Sequence, residues 1–345
     1  MATLFEQFDD LRVTAGDLTR PSEFTLTGIV RNEMYFLPDF LAHYRSLGVD
    51  RFVFVDDAST DGTSDFLASQ PDTITLRSQW RFGDRAGNVK PELGQGSRFR
   101  MIVVWRNLLL AKFGMDRWSL HVDVDEFLDL PPGMGLADVT ALADREGARV
   151  VWSVMPDVYP ETVDELLEMG HQARLDLSRE WFFDGTRHLK LVGTGKPKRV
   201  YSGSRARLMS EFGLIEGGGA HLAHIRKILG LGPPPYNSIR KPALIKWAAD
   251  TVMPSSHDIN LTGSPSILLP LRHFKFSGAA GPRIEWALKS GGYSGGSKQY
   301  KDLERLLVAI KKSGSSFLCA KSVVTGSFQD YVRTGNARLP SRTEP

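Results

Sequence analysis

Apolar and polar residues follow two different periods along the first third of the chain. Short apolar runs rich in β-branched residues predict strands at 24–30, 52–55 and 73–76. Apolar residues recur at helical spacing after Pro38 and again at Phe66, which predicts a helix behind each of the first two strands. Because strands that alternate with helices imply right-handed crossovers, we predict an α/β fold with a mainly parallel open sheet and flanking helices.

The rest of the chain carries further helix and strand patterns. Residues 99–113 predict a largely apolar helix, and strands are predicted at 118–127 and 149–155. Amphipathic helices are predicted near 282–288 and at 300–312. Strands or strand pairs joined by Gly- and Pro-rich loops are predicted at 187–192, 198–209 and 242–248.

No linker separates independent domains, so the pattern predicts one elaborated domain. Both ends of the chain lack a strong period and are expected to be loosely ordered. We predict a lead-in at 1–22, a main domain at 23–290 and a helical extension at 291–345. The main domain has two halves, 23–130 and 131–290. The last residues of the extension, 335–345, are expected to form a disordered tail.

Three carboxylates within four residues end the strand that begins at Trp118. In an extended chain Asp123 and Asp125 project to the same side. Two like charges at that distance repel unless a cation lies between them, and carboxylate oxygens suit Mg2+ or Mn2+. The segment therefore predicts a metal-diphosphate site, with acids that merely cap a helix as the other interpretation.

Polar residues also follow the first two predicted strands. Arg31, Asn32 and Glu33 follow one strand, and Asp56 and Asp57 follow the other. In open α/β sheets, ligands bind beyond the carboxyl ends of the strands. We therefore expect these residues and the acidic pair to converge on one ligand site.

Composition narrows the classes of function. A net charge of +3 over 345 residues gives no support for nucleic-acid binding. Basic residues gather at 190–207 and 226–246 and acidic ones at 116–168, which suits a cleft for an anionic ligand. The single cysteine, Cys319, excludes an internal disulfide and favours a cytoplasmic location. No run approaches the ~18 apolar residues of a membrane span, although the basic face of the 300–312 helix is compatible with peripheral contact at the inner face of a membrane.

Several segments resemble the opening motifs of the family-two-like glycosyltransferases with a GT-A fold. The similar segments are Val30–Glu33, Leu37–Tyr44, Leu47–Phe52, Asp56–Thr63 and, for the metal-binding motif, Trp118–Phe127. Weaker similarities to a bacterial branch related to family ninety-two enzymes are Pro156–Tyr159, Gly203–Arg207, Lys241–Trp247, Ser256–His257 and His273–Phe276. The resemblance covers roughly residues 24–290.

The resemblance implies a GT-A type fold with an elaborated C-terminal acceptor part. Under it, residues 23–130 are the nucleotide-sugar half of the main domain and residues 131–290 its acceptor half. It implies transfer of a sugar from a nucleotide-sugar, with a preference for UDP, to a saccharide or lipid-linked hydroxyl, as in cell-surface polysaccharide or lipopolysaccharide synthesis. It further implies that Asp56 or Asp57 contacts the base or ribose and that residues 31–33 line the same pocket. Asp123 and Asp125 would hold Mn2+ or Mg2+ on the diphosphate, whose negative charge grows as the sugar leaves.

Histidine and lysine residues in the second half extend the predicted site. His273 and Lys275 share one face of a predicted strand, where burial without a partner is costly. His273 can be a further metal ligand, a role that the resemblance supports, and Lys275 can neutralise phosphate. His257 is the competing metal ligand. Three arginines, Arg98, Arg100 and Arg106, lie near the start or on the polar face of the 99–113 helix, and one of them, with Arg100 as the candidate, is expected to contact a phosphate. For each of them alone, an arginine on the solvated surface is the other interpretation.

An inverting transferase needs a base within reach of the acceptor hydroxyl, whereas a retaining one does not. Asp157, after the 149–155 strand, is the first candidate. Glu180 is the second, and Asp184 and Glu216 are further alternatives.

Two other classes of protein remain open. A sugar-phosphate nucleotidyltransferase can use a related sheet, but its Gly-rich loop after the first strand is replaced here by Arg31–Glu33. A non-catalytic nucleotide- or glycan-binding protein of the same fold is the other alternative, against which the retained Asp123, Asp125 and Glu126 argue. A dinucleotide-dependent oxidoreductase is disfavoured because no Gly-x-Gly-x-x-Gly follows the first strand.

Overall fold

A nine-stranded sheet forms the centre of the protein. The computed structural model describes residues 8–89, 99–193, 195–200, 203–214, 239–291 and 294–340. The strands of the described residues are β1 (Arg12–Ala15), β2 (Thr25–Val30), β3 (Arg51–Asp56), β4 (Thr73–Arg77), β5 (Trp118–His121), β6 (Glu126–Leu128), β7 (Val150–Val154), β8 (Phe182–Asp184), β9 (Leu189–Lys190), β10 (Lys198–Arg199), β11 (Arg240–Lys246), β12 (Gly263–His273) and β13 (Ser322–Val324). Four of them form two small two-stranded sheets, β9 with β10 and β8 with β13, and the other nine form the central sheet.

Helices flank the sheet along the whole chain. They are α1 (Leu37–Ser46), α2 (Thr63–Ala68), α3 (Ala86–Val89), α4 (Met101–Phe113), α5 (Leu136–Arg145), α6 (Val163–Met169), α7 (Ser204–Glu211), α8 (Ala280–Ser290), α9 (Ser294–Ser313) and α10 (Phe328–Arg333). In the described part of the chain, none of them combines the length and apolar character needed to cross a bilayer.

The sheet is mixed but mostly parallel, as predicted. Its strand order is β1-β4-β3-β2-β5-β11-β7-β12-β6. Strands β4, β3, β2 and β5 are parallel neighbours, and β7 and β12 are parallel to each other. Strand β11 lies antiparallel between β5 and β7, so those six strands share one direction while β1, β11 and β6 oppose it. The carboxyl ends of the six strands consequently meet at one edge.

Strand β3 shows how the apolar pattern covers both faces of the sheet. Phe52 and Phe54 belong to the apolar cluster that includes α1 and α5, whereas Val53 and Val55 pack with α4. Every residue of the strand after Arg51 is buried. A continuous apolar run is therefore the expected sequence for this central strand.

The described residues near both ends of the chain are better ordered than predicted. Strand β1 pairs antiparallel with β4, and Phe8 is buried, so the described part of the lead-in closes one edge of the sheet. Near the other end, the Asn336 side chain is fully buried and donates to the Thr186 carbonyl oxygen at 2.8 Å. Arg338 exchanges backbone hydrogen bonds with Leu268. Residues 341–345 lie outside the described range.

The second half of the chain does not form a separate layer. It supplies β7, β11 and β12 to the same sheet as the first half. The strand predicted at 198–209 is wrong beyond its first residues, because β10 ends at Arg199 and the helix α7 begins at Ser204. The predicted strand at 187–192 is shorter than expected, and that at 242–248 is confirmed as β11.

Candidate functional site

The acidic segment forms a turn instead of an extended strand. Strand β5 ends at His121 and β6 begins at Glu126. The turn is closed by a hydrogen bond from the Glu126 amide to the Asp123 carbonyl oxygen (3.0 Å) and by one from the Asp123 amide to Glu126 Oε2 (2.8 Å). The prediction that Asp123 and Asp125 share the face of one strand is therefore wrong. The two carboxylates contact different cations.

Asp123 and Glu126 share a buried lysine. Lys241, from the neighbouring strand β11, has no solvent exposure, pairs with the Glu126 carboxylate and lies 3.2 Å from Asp123 Oδ2. Burial raises the pKa of Glu126 to about 7. Burial opposes ionisation of Asp123 as well, but Lys241 and Arg106 hold the pKa of Asp123 below its usual value. The Asp123 side chain is 44% exposed, so it is the acid of this group that solvent reaches.

Asp125 meets an arginine from the second half of the chain. The Arg283 guanidinium, on the first turn of α8, contacts Asp125 Oδ2 with one nitrogen and lies 2.5 Å from Glu33 Oε2 with another. The three side chains are 9–18% exposed. Burial raises the pKa of Glu33 to about 7. Although burial opposes it, Arg283 and His273 keep the pKa of Asp125 well below its usual value.

His273 connects Asp125 to a second buried acid. Its Nε2 lies 3.5 Å from Asp125 Oδ2, and its Nδ1 lies 2.5 Å from Asp157 Oδ1. The other Asp157 oxygen accepts a hydrogen bond from Arg205 Nε at 2.6 Å. Burial alone would lower the pKa of His273, but the two carboxylates raise it to about 9.

Acids and bases thus alternate through one connected cluster at the carboxyl edge of the sheet. Strand ends and the loops after them supply the acids and the histidine, and helices α7 and α8 supply the two arginines. The position of Glu33 and Asp125 at this edge supports the predicted convergence. We call these residues the acid-base row: Glu33, Arg283, Asp125, His273, Asp157 and Arg205.

A second buried pair lies beneath the acidic turn. Arg106 Nε donates to His121 Nε2 at 2.8 Å. The His121 Nδ1 proton is then available to the Thr27 hydroxyl oxygen at 2.9 Å, while that hydroxyl donates to the Leu120 carbonyl oxygen. Burial and the neighbouring Arg106 keep the pKa of His121 well below its usual value, so the imidazole is neutral. Arg106 is therefore buried in the interior, where its charge lies near Asp123.

The two aspartates at the end of β3 have different surroundings. Asp56 is fixed by the Ser59 amide, the Ser64 hydroxyl and Arg77. Asp57 is buried, and among the described residues its Oδ2 has no hydrogen-bond partner. Burial raises the pKa of Asp57 to about 6. Asp57 is thus the member of the pair whose polar atom is left unsatisfied.

Arg31 and an aromatic ring complete the surroundings of Asp57. Arg31 Nη1 lies 3.6 Å from Asp57 Oδ2 and also donates to the Asp57 carbonyl oxygen. Trp286, one turn after Arg283 on α8, places its ring 5.0 Å from the Arg31 guanidinium. Helix α8 therefore contacts both the acid-base row and the Asp57 pocket.

Asn32 shapes the loop next to that pocket. It has a positive φ of 54°, a conformation that Asn adopts more readily than most residues. Its Oδ1 accepts from the Thr60 amide at 2.7 Å, and its own amide donates to the Ser59 hydroxyl at 3.0 Å. In the described contacts, Asn32 joins the loops after β2 and β3.

Other predicted residues lie apart from the acid-base row. Arg100 donates to the Gly83 carbonyl oxygen at 2.9 Å, and Arg98 lies outside the described residues. His257 Nδ1 lies 3.1 Å from the Arg240 carbonyl oxygen, and among the described contacts His257 has no hydrogen bond or ion pair with Asp123 or Asp125. Burial lowers the pKa of His257 to about 4.

Lys275 and the alternative bases were also predicted in this region. Strand β12 ends at His273, earlier than the alternating pattern predicts, and Lys275 Nζ donates to the Tyr300 hydroxyl at 3.1 Å. Glu180 is exposed in the loop before β8. Asp184 is buried and accepts from Tyr159 at 2.6 Å and Arg207 at 2.9 Å. Glu216 lies outside the described residues.

Two neighbouring carboxylates and an imidazole are chemically suited to a hard divalent cation. In the described residues, however, no three His, Cys, Asp or Glu side chains are grouped closely enough to coordinate a metal. Internal cations lie at the same oxygens instead: Lys241 at Asp123, and both Arg283 and the protonated His273 at Asp125. His273 must therefore lose a proton before it can bind a metal. The charge and ligand type of Asp123, Asp125 and His273 still suit a divalent cation. In this structure, positively charged side chains of the protein occupy the corresponding positions.

Sequence reasoning assigned no role to three central residues. Lys241 and Arg205 lie in segments that showed family resemblance, and Arg283 lies in a predicted amphipathic helix. Lys241 follows Arg240 and precedes the apolar residues of β11, where a basic residue is ordinary, so no local pattern marks it. Nothing in the sequence distinguishes Arg283 from the solvent-facing basic residues that amphipathic helices normally carry.

Comparisons with known proteins find distant similarities only. No protein-family model matches the chain. A 135-residue segment, 38% of the chain, is 24% identical to a glycosyltransferase family 92 protein of Ricinus communis and spans only 21% of that protein's length. Among solved structures, the mannosyltransferase PcManGT from Pyrobaculum calidifontis, in complex with GDP-Man and Mn2+, is 14% identical with a TM-score of 0.28, over 89% of this chain and 74% of that one. At this distance no residue role is transferred from either protein.

Proposed function

We propose that the protein is a metal-dependent glycosyltransferase that transfers a sugar from a nucleotide-sugar to a hydroxyl of a saccharide or lipid-linked acceptor. The observation that carries the proposal is the convergence of Glu33, Asp57, Asp123 and Asp125 at the carboxyl edge of the sheet. Ligands of open α/β sheets bind at this edge. The resemblance of Trp118–Phe127 to a metal-binding motif, and the glycosyltransferase names of the similar proteins, support the same class.

In this proposal Asp123 and Asp125 hold Mn2+ or Mg2+, and His273 is the third candidate ligand. A bound divalent cation would supply positive charge against the diphosphate that leaves the sugar. The exposed side of Asp123 lets a donor approach from solvent. Lys241 holds Asp123 and Glu126 in fixed positions behind it.

We assign Asp157 a positioning role instead of the base role that its sequence position predicts. Both of its oxygens already have cationic partners, so neither is directed at an acceptor hydroxyl. A carboxylate on the far nitrogen of a metal-ligating histidine orients the ring and raises its basicity. If the reaction inverts configuration, the exposed Glu180 remains the candidate base.

The nucleoside end of the donor is assigned to the pocket of Arg31, Asp57 and Trp286. Asp57 has a buried, unsatisfied oxygen that an N–H or O–H group of a base or ribose could satisfy. Trp286 supplies an aromatic ring beside it. UDP, which the family resemblance favours as the nucleotide of the sugar donor, carries both an N–H group on its base and O–H groups on its ribose.

Thermal-shift measurements with a panel of nucleotides and nucleotide-sugars, with and without Mn2+, test this proposal. We expect at least one nucleotide-sugar to raise the melting temperature in the presence of Mn2+, and Asp57→Ala to weaken that response. A protein that responds to no nucleotide under either condition would belong to a different functional class.

A further inference from the structure

Asp125 and Glu33 share a single guanidinium. Arg283 contacts Asp125 Oδ2 through one terminal nitrogen and Glu33 Oε2 through the other. Its guanidinium also lies 4.8 Å from the centre of the Phe36 ring. Helix α8 fixes the position of Arg283, because its residues Ala280, Ile284 and Ala287 are buried.

The shared guanidinium lies where a divalent cation would have to bind. Asp125 Oδ2 is the oxygen that Arg283 contacts, and it is also the oxygen that lies 3.5 Å from His273 Nε2. A cation bound between these two groups would lie next to the guanidinium. Like charges at such a distance in a buried site repel strongly. The cation and the Arg283 contact with Asp125 are therefore mutually exclusive.

Glu33 provides a place for the displaced arginine. It is 14% exposed and holds the second Arg283 nitrogen at 2.5 Å. If Arg283 gives up Asp125, its charge still has a buried carboxylate as partner, so the exchange does not strand an unpaired buried charge.

We propose that Arg283 is a displaceable internal counter-ion that neutralises Asp125 until a divalent cation takes that position, after which Arg283 stays paired with Glu33. The inference rests on the proposed function for the presence of a metal. The affinity for the metal is then set by its competition with Arg283 for the Asp125 carboxylate. Arg283 thus weakens the binding of free metal and keeps the acidic site neutral when no metal is bound.

A titration of the full-length protein with Mn2+ alone, followed by the electron paramagnetic resonance signal of free Mn2+, tests the exchange. Arg283→Met removes the competitor and should tighten Mn2+ binding by roughly tenfold or more. Glu33→Gln removes the second carboxylate partner of Arg283, so Arg283 should hold Asp125 more firmly and Mn2+ binding should weaken. A nonspecific disturbance of the fold would shift both variants in the same direction, and that result would overturn the proposal.

Lys275→Met is the matched control. Lys275 is a nearby cation that helps keep the pKa of Asp125 low, but it contacts Tyr300 and makes no ion pair with Asp125 among the described contacts. If Lys275→Met tightened Mn2+ binding as much as Arg283→Met, the effect would come from the loss of any nearby positive charge. Displacement of Arg283 from Asp125 by the metal would then be excluded. Lys289→Met, on the exposed face of the same helix, should leave Mn2+ binding unchanged.

Melting temperatures extend the test to a variant that is destabilised. Without Mn2+, Arg283→Met removes the ion pair of Glu33 and leaves Asp125 with His273 as its neighbouring cation, so the variant should melt below the wild type. Added Mn2+ should raise its melting temperature by more than it raises that of the wild type. An equal or smaller rise would contradict the exchange. Tight Mn2+ binding by Arg283→Met in a protein that turns over no nucleotide-sugar would support the exchange and refute the proposed function.

Discussion

Lys241 and Glu126 form an ion pair that is almost completely removed from solvent, with 0% and 2% of their side chains exposed. Lys241 comes from β11, and Glu126 begins β6 directly after the acidic turn. The pair therefore attaches the turn to the middle of the sheet. Because Lys241 also contacts Asp123, the same side chain holds the exposed acid of the candidate metal site.

Lys241→Met is expected to lower the free energy of unfolding by about 3 kcal/mol, because it leaves Glu126 buried without its partner. The double variant Lys241→Met/Glu126→Gln should recover part of this loss, and urea unfolding of the four proteins measures the coupling. Lys246→Met, on the same strand but in a solvent-exposed pair with Asp144, should change stability by less than about 0.5 kcal/mol. Additive effects of the two substitutions would show that the pair does not anchor the turn.

Asp157→Asn distinguishes a positioning role from a base role. If Asp157 orients His273, the substitution should weaken Mn2+ binding roughly tenfold or more as well as reduce turnover. A catalytic base would instead leave Mn2+ affinity unchanged and lower only kcat. Mn2+ titration and steady-state kinetics on the same preparation separate the two roles, and unchanged Mn2+ affinity would contradict the positioning role.

The buried Asp57 predicts a specific dependence of stability on pH. Its pKa in the folded protein is about 6, above the ordinary value of 3.8. Between these values the unfolded chain loses the proton first, so this residue lowers the free energy of unfolding as pH rises from about 4 to 6. Above pH 6 the full penalty, on the order of 3 kcal/mol, is present.

Asp57→Asn removes this titration. Relative to the wild type, the variant should therefore become more stable as the pH increases from 4.5 to 7.5, as measured by urea unfolding at each pH. Asp56→Asn should show no such trend over this range, because hydrogen bonds from Ser59 and Ser64 overcome the effect of burial and lower the pKa of Asp56 below its ordinary value of 3.8, so this residue titrates only at lower pH. Identical pH profiles for Asp57→Asn and the wild type would mean that Asp57 is not held in a raised-pKa environment.

The alternation of apolar strands and helices between residues 24 and 113 predicted β2, α1, β3, α2, β4 and α4 closely, whereas β1 and α3 were missed. The β3 run from Phe52 to Val55 and the α4 helix both pack as their periods indicate. Local periodicity is informative there because each element is buried against its neighbours in sequence. The second half gave a weaker signal, since β11 and β12 insert between strands that lie far apart along the chain.

The candidate site was predictable at the level of strand ends but not of partners. Arg31–Glu33, Asp56 and Asp57 follow strands that can be recognised from sequence, and the sheet rule brings them to one edge. The contact between Asp125 and Arg283 joins residues 158 positions apart. Such a pairing depends on where α8 packs, which no local pattern encodes.

The turn at Asp123 to Asp125 illustrates the limit of strand alternation. An uninterrupted strand would have placed both carboxylates on one face, but the Glu126 side chain accepts the Asp123 amide and ends the extended conformation. Side chains that bind their own backbone compete with strand pairing in this way.

Release of nucleoside diphosphate from nucleotide-sugars, compared between the wild type and Asp125→Asn, tests the proposed chemistry most directly. The assay uses a donor panel and candidate saccharide acceptors with Mn2+, then with a chelator, and includes Asp144→Asn as a surface control. We expect turnover of at least one donor by the wild type and the control, its loss in chelator, and a decrease of about 100-fold or more in Asp125→Asn. Turnover that persists in chelator and in Asp125→Asn would contradict a metal-dependent glycosyltransferase centred on this carboxylate.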